Sequence, residues 1–345
     1  MDTFLEITAD NVVDYLISRQ HLGAGERVTA ETLAWGVSNI VIRIHHESAA
    51  DFVVKQSRAQ LRTKAVWLSN LNRIWREAEV MRELGTLLPA GVVPQVLFED
   101  RENYLFAMEA IDPDHRVWKA DLLDGQFDPS IAGRLGTFLA TIHARTWKNP
   151  EYEKRWGDWE VFDQLRIDPF YRYLVGSYPN LKNWIADFIE EIEAHPLCLV
   201  LADFSPKNIL ISRKGIHLVD FETAHFGDPA FDLGFFLSHL LLKTIHHGTR
   251  GMVCLQLADQ FWREYRRQLA DQGESLAGAE LDRRSIKHLA ACMLARVDGK
   301  SPVDYITEPH VKDQVRSFAL SLIQQPPESM TDAFERLAAV QKLKT

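Results

Sequence analysis

Two short segments constrain what this chain can fold into more than any other part of it. They are Asp203-Phe204-Ser205-Pro206-Lys207-Asn208-Ile209-Leu210-Ile211 and Val219-Asp220-Phe221-Glu222. The apolar run 199–202 predicts a strand that ends at Asp203, and the runs 209–212 and 216–219 flank a turn signal at 213–215. The pattern therefore predicts a strand, a loop and a hairpin.

The hairpin determines which polar side chains can meet. A three-residue turn pairs Ser212 with Ile216, and Asn208 then faces Asp220 across the open end, because both lie equally far from the turn. Their oxygens suit Mg²⁺, a hard cation that is usually shared with a substrate phosphate. Asp203 is left to accept a proton from an attacking hydroxyl. Each residue alone is typical of a turn, but the combination favours phosphoryl transfer.

Length and charge bound the class of protein. The chain has 345 residues and a formal net charge of −9, so we expect two domains or lobes and no nucleic-acid partner. An acidic cleft for a cationic substrate stays open. Its cysteines lie far apart without a CxxC motif, which predicts reduced core residues rather than disulfides.

No targeting or membrane segment is expected. Residues 1–11 contain three acidic residues and no basic stretch, and the apolar run 235–242 is too short to span a bilayer. These features predict a cytoplasmic protein without a membrane partner. They leave the oligomeric state open.

The helical periodicity of residues 70–84 places a carboxylate near a core. Ile74, Ala78 and Met81 form an apolar stripe, and Glu77 lies on its flank. A carboxylate directed at a core requires a cation. Upstream, Lys55 ends the apolar run 52–54, which predicts a strand.

The first two segments resemble the catalytic loop and metal-binding segment of the aminoglycoside phosphotransferase and choline kinase group, which has a protein-kinase-like fold. They are also similar to the methylthioribose kinase branch. The resemblance implies a catalytic base at Asp203 and metal ligands at Asn208 and Asp220. Residues 226–234 are similar to the group's Gly-Asp-Pro and Asp-Leu segment, which implies that Asp232 braces the catalytic loop.

The chain departs from the group's pattern just before the catalytic aspartate. Leu201 stands where the group has a structural histidine, and Ala202 stands where a glycine is common. The departure puts the rigidity of the loop in question and motivates an alternative function, a nucleotide-binding pseudokinase that acts as a scaffold or regulator. Retention of the aspartate and asparagine residues weighs against this alternative.

The resemblance also implies an ATP site in the N-terminal part of the chain. Residues 33–39 resemble a short Gly-x-Ser-Asn turn whose backbone N–H groups cover the phosphates, which assigns Gly36, Ser38 and Asn39 to the nucleotide. Kinase folds pair a strand lysine with a helix glutamate and hold the amine against the α- and β-phosphates. Lys55 and Glu77 match this order and separation.

A strand at 104–111 would lead to a hinge between the lobes. There the backbone groups of Glu109, Ala110 and Ile111 would bind the adenine edge. For the phosphoryl acceptor, two charged segments supply the substrate-binding candidates Arg166, Asp168, Arg296, Asp298 and Lys300. A mainly basic pocket would favour an anionic or sugar-like alcohol, and a mainly acidic one an amino alcohol or aminoglycoside.

Together these observations predict an α+β, protein-kinase-like bilobal fold. Residues 1–110 form a small nucleotide-binding lobe of antiparallel sheet with one helix, and residues 111–345 form a larger, mainly helical lobe for catalysis and substrate binding. The predicted enzyme is a small-molecule kinase. It transfers the γ-phosphoryl group of ATP, with Mg²⁺, to a hydroxyl of an amino alcohol, aminoglycoside or sugar-like alcohol.

Overall fold

The computed structural model describes residues 5–33, 39–58, 60, 69–271 and 278–342. The chain forms two compact units, a smaller one of Met1–His115 with Ile211–Thr223 and a larger one of Arg116–Leu210 with Ala224–Thr345. The sequence pattern predicts one boundary near residue 110 and does not predict the return of residues 211–223. The function assigned to each lobe stays a prediction.

The smaller unit is built on a five-stranded antiparallel sheet of order β1-β2-β3-β5-β4. Because side chains alternate along a strand, Ile40, Ile42 and Ile44 all point into the core. The sheet confirms the predicted fold class for this part of the chain. Its strands are β1 Val28–Thr32, β2 Asn39–His46, β3 Phe52–Ser57, β4 Val96–Asp100 and β5 Leu105–Glu109.

Two helices, rather than the predicted one, accompany this sheet in the described part of the smaller unit. The unpredicted helix, α1 (Val12–Ser18), packs Val12 and Leu16 into the same apolar core as the isoleucines of β2. The predicted helix, α2, covers Arg73–Leu87. It buries its apolar stripe as expected, and Glu77 is buried with it.

The larger unit is mainly helical. Its helices are α3 Trp118–Leu123, α4 Pro129–Thr146, α5 Pro150–Trp156, α6 Glu160–Phe162, α7 Leu174–Ser177, α8 Lys182–Glu193, α9 Pro229–His247, α10 Met252–Ala270, α11 Ala279–Asp298, α12 Pro309–Gln324 and α13 Met330–Lys342, with a π-helix at Asp163–Arg172. No helix in the described ranges is long and apolar enough to cross a bilayer.

Close helix packing organises the core of this unit. A Cβ atom on Gly136 of α4 would lie 2.4 Å from the carbonyl oxygen of Phe261 in α10. A Cβ on Gly234 of α9 would lie 2.3 Å from the Cβ of His288 in α11. These glycines let neighbouring helices approach each other, and α9 is buried along nearly its whole length.

Five further short strands lie in the described part of the chain. β6 covers Arg116–Val117, and β7 (Cys198–Val200) pairs with β10 (His225–Gly227) in the larger unit. β8 (Ile209–Ser212) and β9 (Gly215–Leu218) form the predicted hairpin, but its turn has two residues, so the three-residue turn was wrong. Gly215 belongs to β9 rather than to the turn. Its φ of 132° is backbone geometry that favours glycine.

Candidate active site

The loop after β7 is fixed by one buried carboxylate. Asp232, at the start of α9, accepts hydrogen bonds from the backbone N–H groups of Leu201 at 2.8 Å and Ala202 at 2.7 Å. Ala202 has φ 58°, a left-handed conformation that favours glycine. The backbone therefore explains why a glycine suits this position, and Asp232 holds the alanine in it.

A buried histidine supports this carboxylate from the other side. His143 Nε2 lies 3.2 Å from Asp232 Oδ2, and its Nδ1 lies 2.9 Å from the Tyr265 hydroxyl. The side chain of Leu201 is itself buried. The loop is thus held by Asp232 of α9, which is itself supported by side chains of α4 and α10, although the chain has no histidine two residues before the predicted catalytic aspartate.

Asp203 is buried and surrounded by hydrogen-bond donors. Asn208 Nδ2 donates to its carboxylate at 2.9 Å and to its backbone carbonyl at 3.0 Å. Lys207 Nζ lies 2.9 Å from Oδ2, and Arg166 Nη2 lies 2.8 Å from Oδ1. Charge-assisted contacts of this kind orient a carboxylate. The geometry gives a fixed acceptor for a hydroxyl proton.

The same contacts determine which atom of Asn208 could bind a metal ion. Both hydrogen bonds from its side chain use the amide nitrogen, and no described residue donates to the oxygen Oδ1. An amide oxygen is a ligand that Mg²⁺ accepts. The orientation therefore fits the metal-binding role predicted for this residue.

The contact between Arg166 and Asp203 was not predicted. We expected Arg166 to bind the acceptor, but in the π-helix it also donates from Nε to the Ala202 carbonyl at 2.6 Å. Segments of π-helix are frequent at functional sites. The only sequence signal was an arginine in a segment that mixes charged and aromatic residues.

In the smaller unit, Lys55 bridges two acidic residues. Its Nζ lies 2.7 Å from Glu77 Oε1 and 2.8 Å from Asp220 Oδ1. Lys55 and Glu77 are both almost fully buried. The structure thus brings together the predicted lysine and glutamate and adds Asp220, which has φ 73°.

Burial and neighbouring charges shift the pKa values of Lys55 and Glu77 in this cluster. Burial alone would lower the pKa of Lys55, but the carboxylates of Asp220, Glu77 and Glu222 outweigh it and raise that pKa. Burial raises the pKa of Glu77 to about 7, against the opposing effect of Lys55. Oxygens of the three carboxylates lie within 4.8 Å of one another. So much negative charge favours a cation at this place.

A second buried network holds Asn39. Its Nδ2 donates to Glu222 Oε2 at 2.8 Å, and Arg73 Nε donates to the same oxygen at 3.0 Å. Arg73 and Glu222 were not predicted as site residues. The other two residues assigned to the phosphate turn, Gly36 and Ser38, lie outside the described residues.

Most of the predicted adenine-binding groups already have partners. The Glu109 N–H donates to the Gln95 carbonyl at 2.9 Å, and the Ala110 N–H donates to the Asp51 carbonyl at 3.4 Å. The Ile111 carbonyl accepts from Arg43 at 2.9 Å. The Ile111 N–H donates to no described residue, so it is the donor of this segment that remains for a ligand.

The remaining acceptor candidates have different surroundings. Asp168 is exposed, and Asp298 is bound by Arg316 at 2.6 Å and by the Tyr178 hydroxyl at 2.5 Å. The Lys300 backbone N–H donates to the Pro169 carbonyl at 3.4 Å. The guanidinium carbons of Arg296 and Arg166 each lie 5.7 Å from the centre of the Phe170 ring. Arg296 therefore shares a ring contact with Arg166, the arginine that binds Asp203.

Comparison with known proteins assigns the chain to a family. The model of the phosphotransferase enzyme family matches residues 29–251, which include Lys55, Glu77, Asp203, Asn208 and Asp220. This chain belongs to the phosphotransferase enzyme family. The enzyme class expected from the sequence, a small-molecule phosphotransferase, is thereby confirmed.

Individual relatives of this phosphotransferase agree with the family. It is 26% identical to the methylthioribose kinase of Pectobacterium atrosepticum over 277 residues, which are 70% of this chain and 67% of that protein. Its fold is similar to a choline kinase from Cryptosporidium parvum, with a TM-score of 0.58, 12% identity and coverage of 92% and 97% of the two chains.

A choline/ethanolamine kinase family protein from Mesorhizobium loti also resembles this phosphotransferase, with a TM-score of 0.55 and 18% identity. The match covers 96% of this chain and 99% of that one. The likeness confirms the predicted kinase-like α+β fold. The roles of the individual site residues stay predictions.

Proposed function

We propose that this phosphotransferase moves the γ-phosphoryl group of ATP to a hydroxyl of a small alcohol. The observation that carries the proposal is the position of Lys55, whose ammonium group contacts both Glu77 and Asp220. In kinase chemistry the lysine holds the α- and β-phosphates, and an aspartate like Asp220 binds the metal. The cluster of Lys55, Glu77 and Asp220 thus supplies both a lysine for the phosphates and an aspartate for the metal ion.

The nucleotide is held by the smaller unit in this account. Lys55, positioned by Glu77, contacts the phosphates, and the turn with Gly36, Ser38 and Asn39 covers them. The Ile111 N–H binds the adenine edge, since the N–H groups of Glu109 and Ala110 are engaged within the unit.

The magnesium ligands we propose are Asn208 and Asp220. Two observations support the fit: Asn208 Oδ1 receives no hydrogen bond from a described residue, and Asp220 belongs to a cluster with an excess of carboxylates. A bound Mg²⁺ neutralises charge on the transferred phosphoryl group. The chain supplies two oxygen ligands and leaves the others to phosphate and water.

Asp203 is the proposed general base. It accepts the proton of the acceptor hydroxyl while that oxygen attacks the γ-phosphorus and ADP leaves. Arg166 and Lys207 hold the carboxylate, and Asp232 holds the backbone before it. Because little covalent chemistry falls to the protein, most of the rate comes from positioning and charge stabilisation.

A screen of ADP formation tests the function. The purified enzyme with Mg-ATP is supplied with amino alcohols, sugars, hydroxy acids and sugar phosphates, and products are identified by mass spectrometry. We expect a product heavier by one phosphoryl group with at least one class and a rate that depends on magnesium. Nucleotide binding without transfer to any class would instead support the pseudokinase alternative.

A further inference from the structure

The larger unit contains a group of basic side chains that the chemistry above does not use. We call it the inner basic cluster and define it as Lys119, His239, Lys243 and Arg296, grouped with the Tyr305 ring. They come from α3, α9 and α11 and from the segment after α11. His239 and Lys243 are more than nine-tenths buried.

Direct contacts connect this cluster to the candidate base. Arg166, which binds Asp203, lies 5.5 Å from the centre of the Phe235 ring. The Phe235 and His239 rings are 4.9 Å apart, centre to centre. Arg296 reaches the same region by sharing the Phe170 ring with Arg166. The cluster is therefore one layer of aromatic side chains away from the proposed reaction centre.

Lys243 is the least expected member of the cluster. It is 1% exposed, and its Nζ donates only to the His239 carbonyl, at 3.2 Å, among the described residues. The ammonium lies 5.0 Å from the centre of the Tyr305 ring, and Lys119 lies 5.9 Å from the same centre. Buried charges are normally paired, and none of the described carboxylates forms an ion pair with Lys243.

Three further polar atoms in the cluster are buried without a hydrogen-bond partner among the described residues. They are His239 Nε2, Arg296 Nε and the Tyr305 hydroxyl. Most buried polar atoms in proteins have a partner. All three atoms can donate a hydrogen bond, and several unsatisfied donors in one region indicate that a hydrogen-bond acceptor is missing from it.

The acidic groups near the cluster are already paired. Asp203 is held by Arg166 and Lys207, and Asp304 is held by Lys119 at 3.0 Å. Burial, followed by the charges of Lys119 and Arg296, lowers the pKa of Lys243 to about 7, with Cys254 and Asp304 opposing. Arg296 contacts Ser301 but forms no ion pair with a described carboxylate, so its positive charge in the cluster is not neutralised.

We propose that the inner basic cluster binds a negatively charged group of the phosphoryl acceptor, a carboxylate or a phosphate monoester. This inference rests on the proposed function, and it makes the phosphoryl acceptor an anionic alcohol. The anion accepts hydrogen bonds from Lys243, Arg296 and Tyr305. Like charges make the same region unfavourable for a quaternary ammonium or an aminoglycoside.

Binding of inorganic phosphate, without magnesium or nucleotide, tests the anion site apart from catalysis. Titration calorimetry should show binding to the wild-type enzyme and a Kd at least tenfold higher for Lys243→Met. Methionine is of similar size and apolar, so the fold should be kept. If Lys243→Met does not fold, the double variant Arg296→Gln and Tyr305→Phe is compared with the wild type in the same way. Lys287→Met is the control, because Lys287 of α11 pairs with Glu191 instead, and it should change the phosphate Kd less than twofold.

Three matched acceptors then identify the anion. We expect kcat/KM for glycerate or for glycerol 3-phosphate to exceed that for glycerol at least tenfold. Preference for glycerate would identify a carboxylate as the bound anion, and preference for glycerol 3-phosphate would identify a phosphate monoester. Lys243→Met should abolish this preference through KM. Absence of phosphate binding, a Kd unchanged by Lys243→Met, or a preference for glycerol or choline over both anions would overturn the proposal. Phosphate binding that depends on Lys243 in an enzyme that phosphorylates no acceptor would keep the anion site and refute the proposed function.

Discussion

Arg166 Nη2 lies 2.8 Å from Asp203 Oδ1, and both side chains are more than nine-tenths buried. The arginine also binds the carbonyl of Ala202, so it fixes the backbone and the carboxylate of the same loop. This chain lacks the histidine that the kinase pattern places at residue 201. Arg166 and Asp232 both contact this loop and help to hold it in place.

The first prediction concerns Arg166 as a positioning residue. Arg166→Met should lower kcat about 10²-fold, because a catalytic group misplaced by about 1 Å costs a factor of that order. The KM for ATP should change little, since the arginine belongs to the larger unit. Steady-state kinetics measure both quantities, and Arg166→Lys should restore part of kcat by restoring the charge.

Arg172→Met is the matched control, because Arg172 lies in the same π-helix but forms a half-exposed pair with Asp163. Equal losses at Arg166 and Arg172 would show a structural effect of the π-helix rather than positioning of Asp203.

The second prediction concerns the pair of Lys55 and Glu77. Lys55→Met and Glu77→Gln should each reduce kcat/KM for ATP, and the double variant should be little worse than the worse single one, because residues that act as a unit are non-additive. A double-mutant cycle measures the coupling. The exposed pair Arg27 and Glu47 supplies the control cycle and should give a coupling of at most about 1 kcal/mol in stability and none in activity. Additive losses would separate Lys55 from Glu77 in function.

The third prediction concerns the metal. Asp220→Ala should weaken binding of Mg-ATP much more than binding of metal-free ATP, because the lost carboxylate acts through the ion. Calorimetric titrations with and without magnesium make the comparison. Losses of equal size in both titrations would mean that Asp220 acts through its contact with Lys55 alone.

The fourth prediction concerns pH and Lys243. The pKa of this lysine is lowered from 10.5 to about 7 in the folded state, by burial and by the charges of Lys119 and Arg296, against Cys254 and Asp304. Between these values the unfolded chain binds one proton more than the native protein, so the free energy of unfolding rises with pH from 7 towards 10.5.

Lys243→Met should remove this rise and should stabilise the protein at pH 7 by roughly 1 to 4 kcal/mol, the range for replacing buried charges by apolar side chains. Urea unfolding at pH 7, 8 and 9 provides the measurement. A variant with the same pH dependence as the wild type would show that Lys243 keeps its proton throughout this range.

Sequence patterns predicted the features that depend on neighbouring residues. The helical period of α2 located Glu77 at the core, because residues three and four apart share a face. The spacing of Asp203 and Asn208 is local in the same way, and their side chains do meet.

Contacts between distant segments could not be predicted in this way. The Arg166 to Asp203 pair joins a π-helix to a loop, and a sequence shows neither the i to i+5 winding nor the direction of a buried arginine. The link of Asn39 to Glu222 depends on the return of residues 211–223 to the smaller unit. The turn at Gly215 was misjudged because glycine serves equally well as a turn residue and as a strand residue with positive φ.

The central claim is that Asp203 is the base for transfer of a phosphoryl group to an alcohol. The most direct test compares Asp203→Asn with the wild type in ATP binding and in turnover with the acceptor found by the screen. We predict nearly unchanged ATP affinity and turnover reduced by about 10² to 10⁴-fold, the usual contribution of general-base catalysis. Turnover close to that of the wild type in a folded Asp203→Asn variant would contradict the account.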